Sequence, residues 1–275
     1  METVWLVCAL GCYALSAALF ISDRLSGKRR GGKYAIALLA VGAGFHGLDL
    51  AARGIRAGNI PVTNLAESLS FLTWITALAC LMLIVRLQMT VIGAYLVPPV
   101  TVVLALAAFE MKSGRLELPQ SLRSVWLPIH VTLAILGYAL FVLAASVSII
   151  YLAYESRLKA KRPVAHERER MPSLEKLDRI NYQLLRWGFL MLSLAIVSGA
   201  IWAADTWGHF WSWEPKESWS LAIWILYAAL LESRLTVGWR GRRVAALTIV
   251  VFGVLVSSFL GVSLMYPGKH GGNFG

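Results

Sequence analysis

The segment 205–219 concentrates aromatic and charged side chains that could bind a ligand. From residue 207 it reads Trp-Gly-His-Phe-Trp-Ser-Trp-Glu-Pro-Lys-Glu-Ser-Trp, so that Trp207, Trp211, Trp213 and Trp219 alternate with Glu214, Lys216 and Glu217. Tryptophans at membrane interfaces usually lie singly at helix ends, where the amphipathic ring suits the headgroup layer. The clustering in this tryptophan segment favours a surface for a large, flat, partly charged aromatic ligand. A rich aromatic belt is the alternative.

Two histidines far apart in the sequence are candidates to act together with this segment. His130 opens an apolar run, in Leu-Pro-Ile-His, and His270 follows another, in Pro-Gly-Lys-His-Gly. Two imidazoles can take both axial positions of a haem iron, tryptophans can cover the macrocycle, and Lys or Arg can pair with the propionates. Zinc ligands usually come at short fixed spacings, which the sequence lacks. We therefore predict that His130 and His270 are axial ligands of haem iron.

Apolar runs of membrane-spanning length must position these side chains. The chain has 275 residues, of which 58% are apolar, and its mean hydropathy is +0.65. Runs of roughly 20 apolar residues mark transmembrane helices. They lie near 3–22, 34–52, 67–86, 90–109, 126–153, 183–204, 219–236 and 244–264. The sequence thus predicts an all-α, polytopic integral membrane protein of about eight transmembrane helices, with one membrane domain over 1–275.

The net charge of +11 is distributed in a way that orients these helices. Most of the 26 lysines and arginines fall in alternate loops, and the segment 155–182 is the longest basic one. By the positive-inside rule this basic loop is cytoplasmic, while both termini and the tryptophan segment 205–219 face outward. His130 and His270 then lie at the same outer surface. The basic charge thus orients the helices in membrane lipid, and no nucleic-acid partner is expected.

His46 is a further candidate because it lies within the second apolar run. An ionisable residue inside a membrane is a functional candidate by default, which makes His46 a possible haem ligand. Pairing with Asp49 and Arg53, which follow it towards the end of the same run, is the structural alternative.

The motifs together resemble a known family of haem-handling membrane proteins. The pattern Trp-Gly-x-x-Trp-x-Trp-Glu-Pro-Lys-Glu-x-Trp over 207–219 resembles the tryptophan-rich WWD signature. Its Pro-Lys-Glu-x-Trp ending is more similar to the CcsA/ResC branch of System II cytochrome c biogenesis than to the CcmC or CcmF branches. Residues 61–68, His130 with the following Gly137-Tyr138, and His270 resemble further motifs of that branch.

The resemblance implies that haem b, as a bound substrate, is moved outward and held between His130 and His270. The four tryptophans would form its platform, and Lys216 would contact a propionate. A CcsB/ResB-type partner would join in forming thioether bonds to the Cys-x-x-Cys-His motif of apocytochrome c. The chain would then be a component of a holocytochrome c synthase, or haem lyase, in the bacterial cytoplasmic membrane, with its site facing the periplasm.

Two positions depart from the family pattern. Glu214 stands where the family usually has Asp, which keeps the carboxylate. Glu232 stands where the family commonly has a histidine near the inner end of a span. A carboxylate is a weaker haem ligand, so Glu232 is a minor candidate for a second, intramembrane haem site, and His46 could substitute for it. Pairing of Glu232 with Arg234 or Arg186 is the structural alternative.

Two other functions are compatible with the same motifs. One is a haem-binding regulator of haem synthesis, similar to HemX-type proteins, whose basic loop 155–182 would dock a soluble partner. The other is a haem transporter without lyase chemistry. Both would keep the tryptophan segment and the two outer histidines. Lys216 and Glu217 beside the platform favour a working assembly surface.

Overall fold

The computed structural model describes residues 2–26, 31–62, 64–111, 124–160 and 172–265. Within these ranges the chain is helical and contains no strand, which confirms the predicted all-α fold. Its eight long helices are α1 (Glu2–Ser26), α2 (Gly32–Ala57), α3 (Leu65–Leu87), α4 (Val91–Glu110), α5 (Trp126–Lys159), α6 (Leu174–Trp207), α7 (Pro215–Leu235) and α8 (Arg242–Met265).

Seven of these eight helices are long and apolar enough to cross a membrane. The exception is α7, whose 21 residues would span about 32 Å at 1.5 Å per residue. Its length therefore suffices, but charged side chains near both of its ends lower its mean hydropathy. The chain is a polytopic membrane protein, and α7 differs from the other helices in composition rather than in length.

The two longest helices, α5 and α6, have 34 residues each and form the centre of the fold. At about 50 Å they exceed the roughly 30 Å hydrocarbon core, so each extends beyond it. Their extensions take up much of the segment 155–182, which was predicted to be a loop. The first turns of α6 are helical because Ser173 accepts a bond from Lys176 N–H and Leu177 is buried. Residues 161–171 of that segment lie outside the described ranges.

Close approach of α5 and α6 depends on small residues at their interface. A Cβ on Gly188 of α6 would lie 2.7 Å from the Phe141 ring of α5, which is too close. Phe141 also stacks on Tyr227 of α7, with ring centroids 3.7 Å apart and an interplanar angle of 5°. Because lipid is as apolar as the helix surfaces, this close packing holds membrane helices together. Gly188 thus allows three helices to pack around one aromatic ring.

Successive helices run in opposite directions, and the two ends of the bundle differ in the number of basic side chains. The end with the start of α5, the end of α6 and the start of α7 is called the tryptophan end, and the opposite one the basic end. Among the described residues, the basic end has Arg24, Lys33, Arg86, Arg157, Lys159, Lys176, Arg179, Arg186, Arg234, Arg240, Arg242 and Arg243. The tryptophan end has Arg53, Arg56 and Lys216. Lys112, Arg115 and Arg123 lie outside the described ranges.

An ion pair at the basic end joins α6 to α7. Asp178 accepts two bonds from the Arg234 guanidinium and a third, of 2.9 Å, from the Gly241 backbone N–H. The guanidinium carbon also lies 4.5 Å from the centroid of the Tyr182 ring. Arg234 therefore pairs with Asp178 and not with Glu232, so one of the two partners considered for Glu232 is ruled out. Glu232 is exposed at the basic end, since two residues along α7 turn it about 200° from Arg234, which faces α6.

His46 is part of a separate polar network between α1, α2 and α3. Its side chain is fully buried, with Nε2 2.9 Å from Ser70 Oγ and Nδ1 3.4 Å from the Tyr13 hydroxyl. Asp49 and Arg53 pair with each other at 2.7 Å. Pairing of His46 with Asp49 and Arg53 is therefore wrong, because hydroxyl groups of α1 and α3 bind the imidazole instead. Both ring nitrogens of His46 have protein partners.

Replacing Ser70 by alanine should destabilise the fold. The Ser70→Ala change leaves one nitrogen of a buried imidazole without its partner, which costs about 1–3 kcal/mol. Unfolding of the detergent-solubilised protein by heat or denaturant measures this as a lower midpoint. Ser26→Ala is the matched control, because Ser26 Oγ bonds the Ser22 carbonyl at an exposed site. Equal midpoints for both variants would contradict a structural role for the network.

Candidate functional site

A cavity of about 280 Å³ lies at the tryptophan end, among α3, α5, α6, α7 and α8. Its polar and aromatic lining comprises Ser68, His130, Tyr138, Trp202, Phe210, Trp211, Lys216, Glu217, Trp219, Ser220, Ser258 and Phe259. Apolar side chains such as Ile135, Leu192 and Ile223 complete the wall. Tyr138 follows His130 on α5 by eight residues, about 12 Å along the helix, so the cavity extends well into the bundle.

His130 is fixed in one orientation by helix α6. Its Nδ1 atom donates a 2.8 Å bond to the Ala195 backbone carbonyl, and its ring stacks on Trp202 at 6.2 Å with an interplanar angle of 15°. With the proton on Nδ1, the neutral imidazole carries its lone pair on Nε2. Histidines that ligate metals commonly donate their other ring N–H to a carbonyl in this way. The arrangement suits ligation of a metal through Nε2.

A glycine makes room for this histidine on the surface of α6. A Cβ on Gly199 would lie 2.6 Å from His130 Nδ1 and 2.7 Å from Cε1, distances that real Cβ contacts do not show. Only a residue without a side chain allows the imidazole to reach the Ala195 carbonyl one turn away. Gly199 is therefore part of the site although it has no functional group.

The tryptophan segment is held by the start of α7. Helix α6 ends at Trp207, where Gly208 takes a φ of +79°, as is usual at a helix C-terminus. Helix α7 begins at Pro215 with a capping box: the Glu214 side chain accepts from Glu217 N–H, and the Glu217 side chain accepts from Glu214 N–H. Between the two helices, Trp213 has a φ of +58°, which costs a non-glycine residue about 1–2 kcal/mol.

The four predicted platform tryptophans occupy three different environments. Trp211 and Trp219 line the cavity. Trp207 lies behind it, packed edge-on against Trp202 with ring centroids 4.9 Å apart. Trp213 is 71% exposed and meets Trp211 edge-on at 5.8 Å. The segment therefore supplies two wall residues, one supporting residue and one outward-facing ring, rather than a single flat platform.

Two hydrogen-bond donors in the cavity wall suit a negatively charged group. Lys216 lies in the first turn of α7, ahead of its apolar stretch, where burial lowers the pKa of the ammonium and Glu214 partly opposes that shift. Trp211 Nε1 is buried and has no hydrogen-bond partner within the described part of the chain. A buried donor without a partner is costly, and an anionic ligand would satisfy it. The two side chains therefore fit a carboxylate.

The other predicted site residues lie elsewhere. His270 falls outside the described ranges. His46 and Glu232 do not line the cavity, since one is enclosed between α1, α2 and α3 and the other is exposed at the basic end. Glu214 caps α7 beside the cavity.

Sequence reasoning missed two residues of the site, Gly199 and Trp202, and it missed the capping bonds of Glu217 at the start of α7. A carboxylate three residues after the Glu-Pro helix start is a local capping signal, so Glu217 could have been identified. Nothing local in the sequence pairs Gly199 or Trp202 with His130, which lies on another helix.

Comparison with known proteins identifies the family. The sequence profile described as "Cytochrome C assembly protein" matches residues 62–270. The chain belongs to this family, as a protein of the CcsA type. It is 32% identical over 245 residues to the cytochrome c biogenesis protein CcsA of Guillardia theta, covering 80% of this chain and 79% of that protein. It is 33% identical to CcsA of Mesostigma viride over 246 residues, with coverages of 81% and 80%.

A solved structure shares the fold. The chain superimposes on the cytochrome c haem lyase CcmF with a TM-score of 0.61 and 17% sequence identity. The match covers 99% of this chain but 52% of the CcmF chain, so this protein spans about half the length of that structure. At this identity the comparison establishes the architecture alone. The family assignment places the chain in cytochrome c biogenesis.

Proposed function

We propose that the chain binds haem b at the tryptophan end and presents it for covalent attachment to apocytochrome c. The single observation that carries the proposal is His130, whose Nδ1–H is held by the Ala195 carbonyl at a cavity walled by Trp211 and Trp219. The name of the similar CcmF structure, a haem lyase, agrees with it. In this role the chain is one component of a holocytochrome c synthase.

The dimensions of the cavity are compatible with partial enclosure of haem. Its volume of about 280 Å³ lies at the lower limit of ordinary ligand pockets, roughly 300–1,000 Å³. A macrocycle as large as haem would extend past Phe210, an exposed ring of the wall, and meet the exposed ring of Trp213. Partial exposure suits a ligand that a second protein must reach.

Each residue of the site has a defined task in this proposal. His130 would ligate the iron through Nε2, and His270 would supply the second axial ligand. Lys216 and Trp211 Nε1 would bind a propionate, which fixes the rotation of the macrocycle in its plane. The apolar wall at Ile135 and Phe259 would shield the bound macrocycle from water.

The chemistry of attachment asks mainly for positioning. Haem supplies two vinyl groups, and each thiol of the Cys-x-x-Cys-His motif adds across one of them to form a thioether. Holding the reactants side by side converts a bimolecular step into an effectively unimolecular one. The apocytochrome histidine would then replace one axial ligand and favour release of the product.

The remaining parts of the proposal concern the surroundings of the site. A CcsB/ResB-like membrane protein would act as the partner. The chain would lie in the bacterial cytoplasmic membrane with its tryptophan end towards the periplasm, because basic side chains accumulate at the opposite end. The distribution of charged residues in the helices supports this orientation.

Removing the charge of Lys216 should weaken haem binding through one propionate. We expect Lys216→Gln to lower the affinity for haemin about tenfold. This factor is at the low end of what the loss of a hydrogen bond to a charged group costs. Titration with haemin and with haemin dimethyl ester, followed by absorbance, measures the effect. The wild type should prefer haemin, and this preference should fall about tenfold in the variant, which keeps the Trp211 donor. An undiminished preference in the variant would contradict contact between Lys216 and a propionate.

Attachment is tested by coexpression with a ResB-like protein and an apocytochrome c. Haem that remains on the cytochrome after denaturing electrophoresis indicates thioether bonds. We expect it with the wild type and not with His130→Ala. Haem binding by the purified chain without any attachment would instead favour the regulator or the transporter.

A further inference from the structure

Trp213 combines an unusual backbone with an unusual exposure. Its φ of +58° lies in the left-handed region, which large side chains rarely adopt, and its indole is largely exposed. A strained residue persists only where surrounding bonds determine its conformation. The bonds around Trp213 therefore indicate what maintains this arrangement.

The Glu217 carboxylate supplies most of these bonds. Its Oε2 atom accepts from the backbone N–H of Ser212 at 2.7 Å and from that of Glu214 at 3.3 Å. Both carboxylate oxygens lie 3.1 Å from Ser212 Oγ. These donors come from the residues immediately before and after Trp213. The Trp213 carbonyl itself accepts a 3.2 Å bond from Ser218 Oγ. One side chain thus clamps the strained residue from both sides.

We propose that Glu217 is a positioning residue that holds Trp213 outward beside the cavity. A carboxylate suits this task because three donors converge on it, and an ionised carboxylate carries acceptors only. An indole set in place in advance loses little freedom when a ligand arrives. The identity of that ligand as haem rests on the proposed function.

The clamping of Trp213 by Glu217 can be distinguished from its capping of α7 by a control variant. Glu217 belongs to the capping box, so its loss also removes one cap of the helix. Glu214 provides the other half of the box through its side chain, while its backbone N–H is the group that Glu217 binds. Glu214→Ala therefore removes a cap and retains the clamp. It is the matched control for Glu217→Ala.

The first experiment follows the tryptophan segment without haem. Chymotrypsin cleavage after Trp211 and Trp213 is measured by mass spectrometry on the full chain in detergent. We expect Glu217→Ala to raise the cleavage rate about tenfold, because the segment opens locally more often. The cleavage rate of Glu217→Gln should lie between those of the wild type and Glu217→Ala, since the glutamine amide group still offers one acceptor oxygen. Equal acceleration by Glu214→Ala and Glu217→Ala would overturn the clamp.

The second experiment asks whether Glu217 acts on the ligand through Trp213. Haemin affinity is measured for Trp213→Ala, Glu217→Ala and the double variant. We expect each single change to weaken binding about tenfold and the double variant to bind no worse than Trp213→Ala, because residues that act as one unit are not additive. The low-spin spectrum from His130 should persist in all three.

Additive losses would overturn the positioning role. If the wild type binds haemin but chymotrypsin cleaves Glu217→Ala no faster than the wild type, the proposed clamp is wrong while the proposed function stands. If the wild type binds no haemin, the proposed function fails, and with it any role of Glu217 in haem binding. The cleavage rates then still decide whether Glu217 holds Trp213.

Discussion

His130→Ala should abolish the low-spin haem spectrum of the purified protein and weaken haemin binding by more than about 100-fold. Loss of a group that merely orients a metal ligand typically costs 10–100-fold in metal affinity, and His130 would be the ligand itself. Haemin titration in detergent, followed in the Soret region, measures both quantities.

His46→Ala is the matched control for this result. His46 is also a histidine within a helix, but its nitrogens face Ser70 and Tyr13 and it does not line the cavity. We expect this variant to unfold at a lower temperature and to keep the haem spectrum. A spectrum lost in His46→Ala but retained in His130→Ala would move the haem site to the α1–α3 network.

Gly199→Ala should weaken haem binding although it leaves every potential ligand in place. The added Cβ would lie 2.6 Å from His130 Nδ1, so the imidazole or helix α5 must move and the bond to Ala195 is strained or lost. We expect a loss of affinity of about 10–100-fold, the range for groups that orient a metal ligand. Overpacking should also destabilise the fold by about 1–3 kcal/mol.

Gly188→Ala separates these two effects. It creates a similar clash, 2.7 Å from the Phe141 ring, on the same helix but outside the cavity wall. Both variants should lose stability, and only Gly199→Ala should lose affinity and alter the haem spectrum. Equal losses of affinity in both would mean that general packing of α5 on α6, rather than the position of His130, controls binding.

Local patterns in the sequence predicted much of this molecule. Membrane-length apolar runs gave the helices, because a bilayer requires about 20 residues to span it. Because basic residues fall in alternate loops, the sequence predicted that they lie at the end of the bundle opposite the tryptophan segment. The Glu-Pro-Lys-Glu start of α7 is a local cap, and its bonds form between residues three positions apart. Such features depend on neighbours along the chain, so they can be read from it directly.

The partners of individual side chains were harder to predict. Arg234 was one of two arginines considered as partners of Glu232, two residues away, but it binds Asp178, 56 residues away on another helix. His46 was expected to pair with Asp49 and Arg53, but hydroxyls of α1 and α3 bind it. In both cases the prediction named a partner close in sequence, whereas packing brings a residue distant in sequence nearer in space.

The tryptophan segment shows the same limit. Its composition indicated one aromatic surface, but the left-handed turn at Trp213 separates the exposed ring from Trp211 and Trp219 in the cavity wall. A single backbone conformation, set by the bonds to Glu217, decides this division. Composition carries no information about it.

The sequence by itself determined the helices, which ends of them carry the basic side chains, the family, and the residue types that could bind haem. Only the tertiary structure decided that His130 meets Ala195, Gly199 and Trp202, because the register of α5 against α6 sets those contacts. In a soluble protein the apolar stripe of a helix indicates its packed face. In a membrane, lipid-facing and buried faces are both apolar, so the pattern does not reveal which side of α6 receives the histidine.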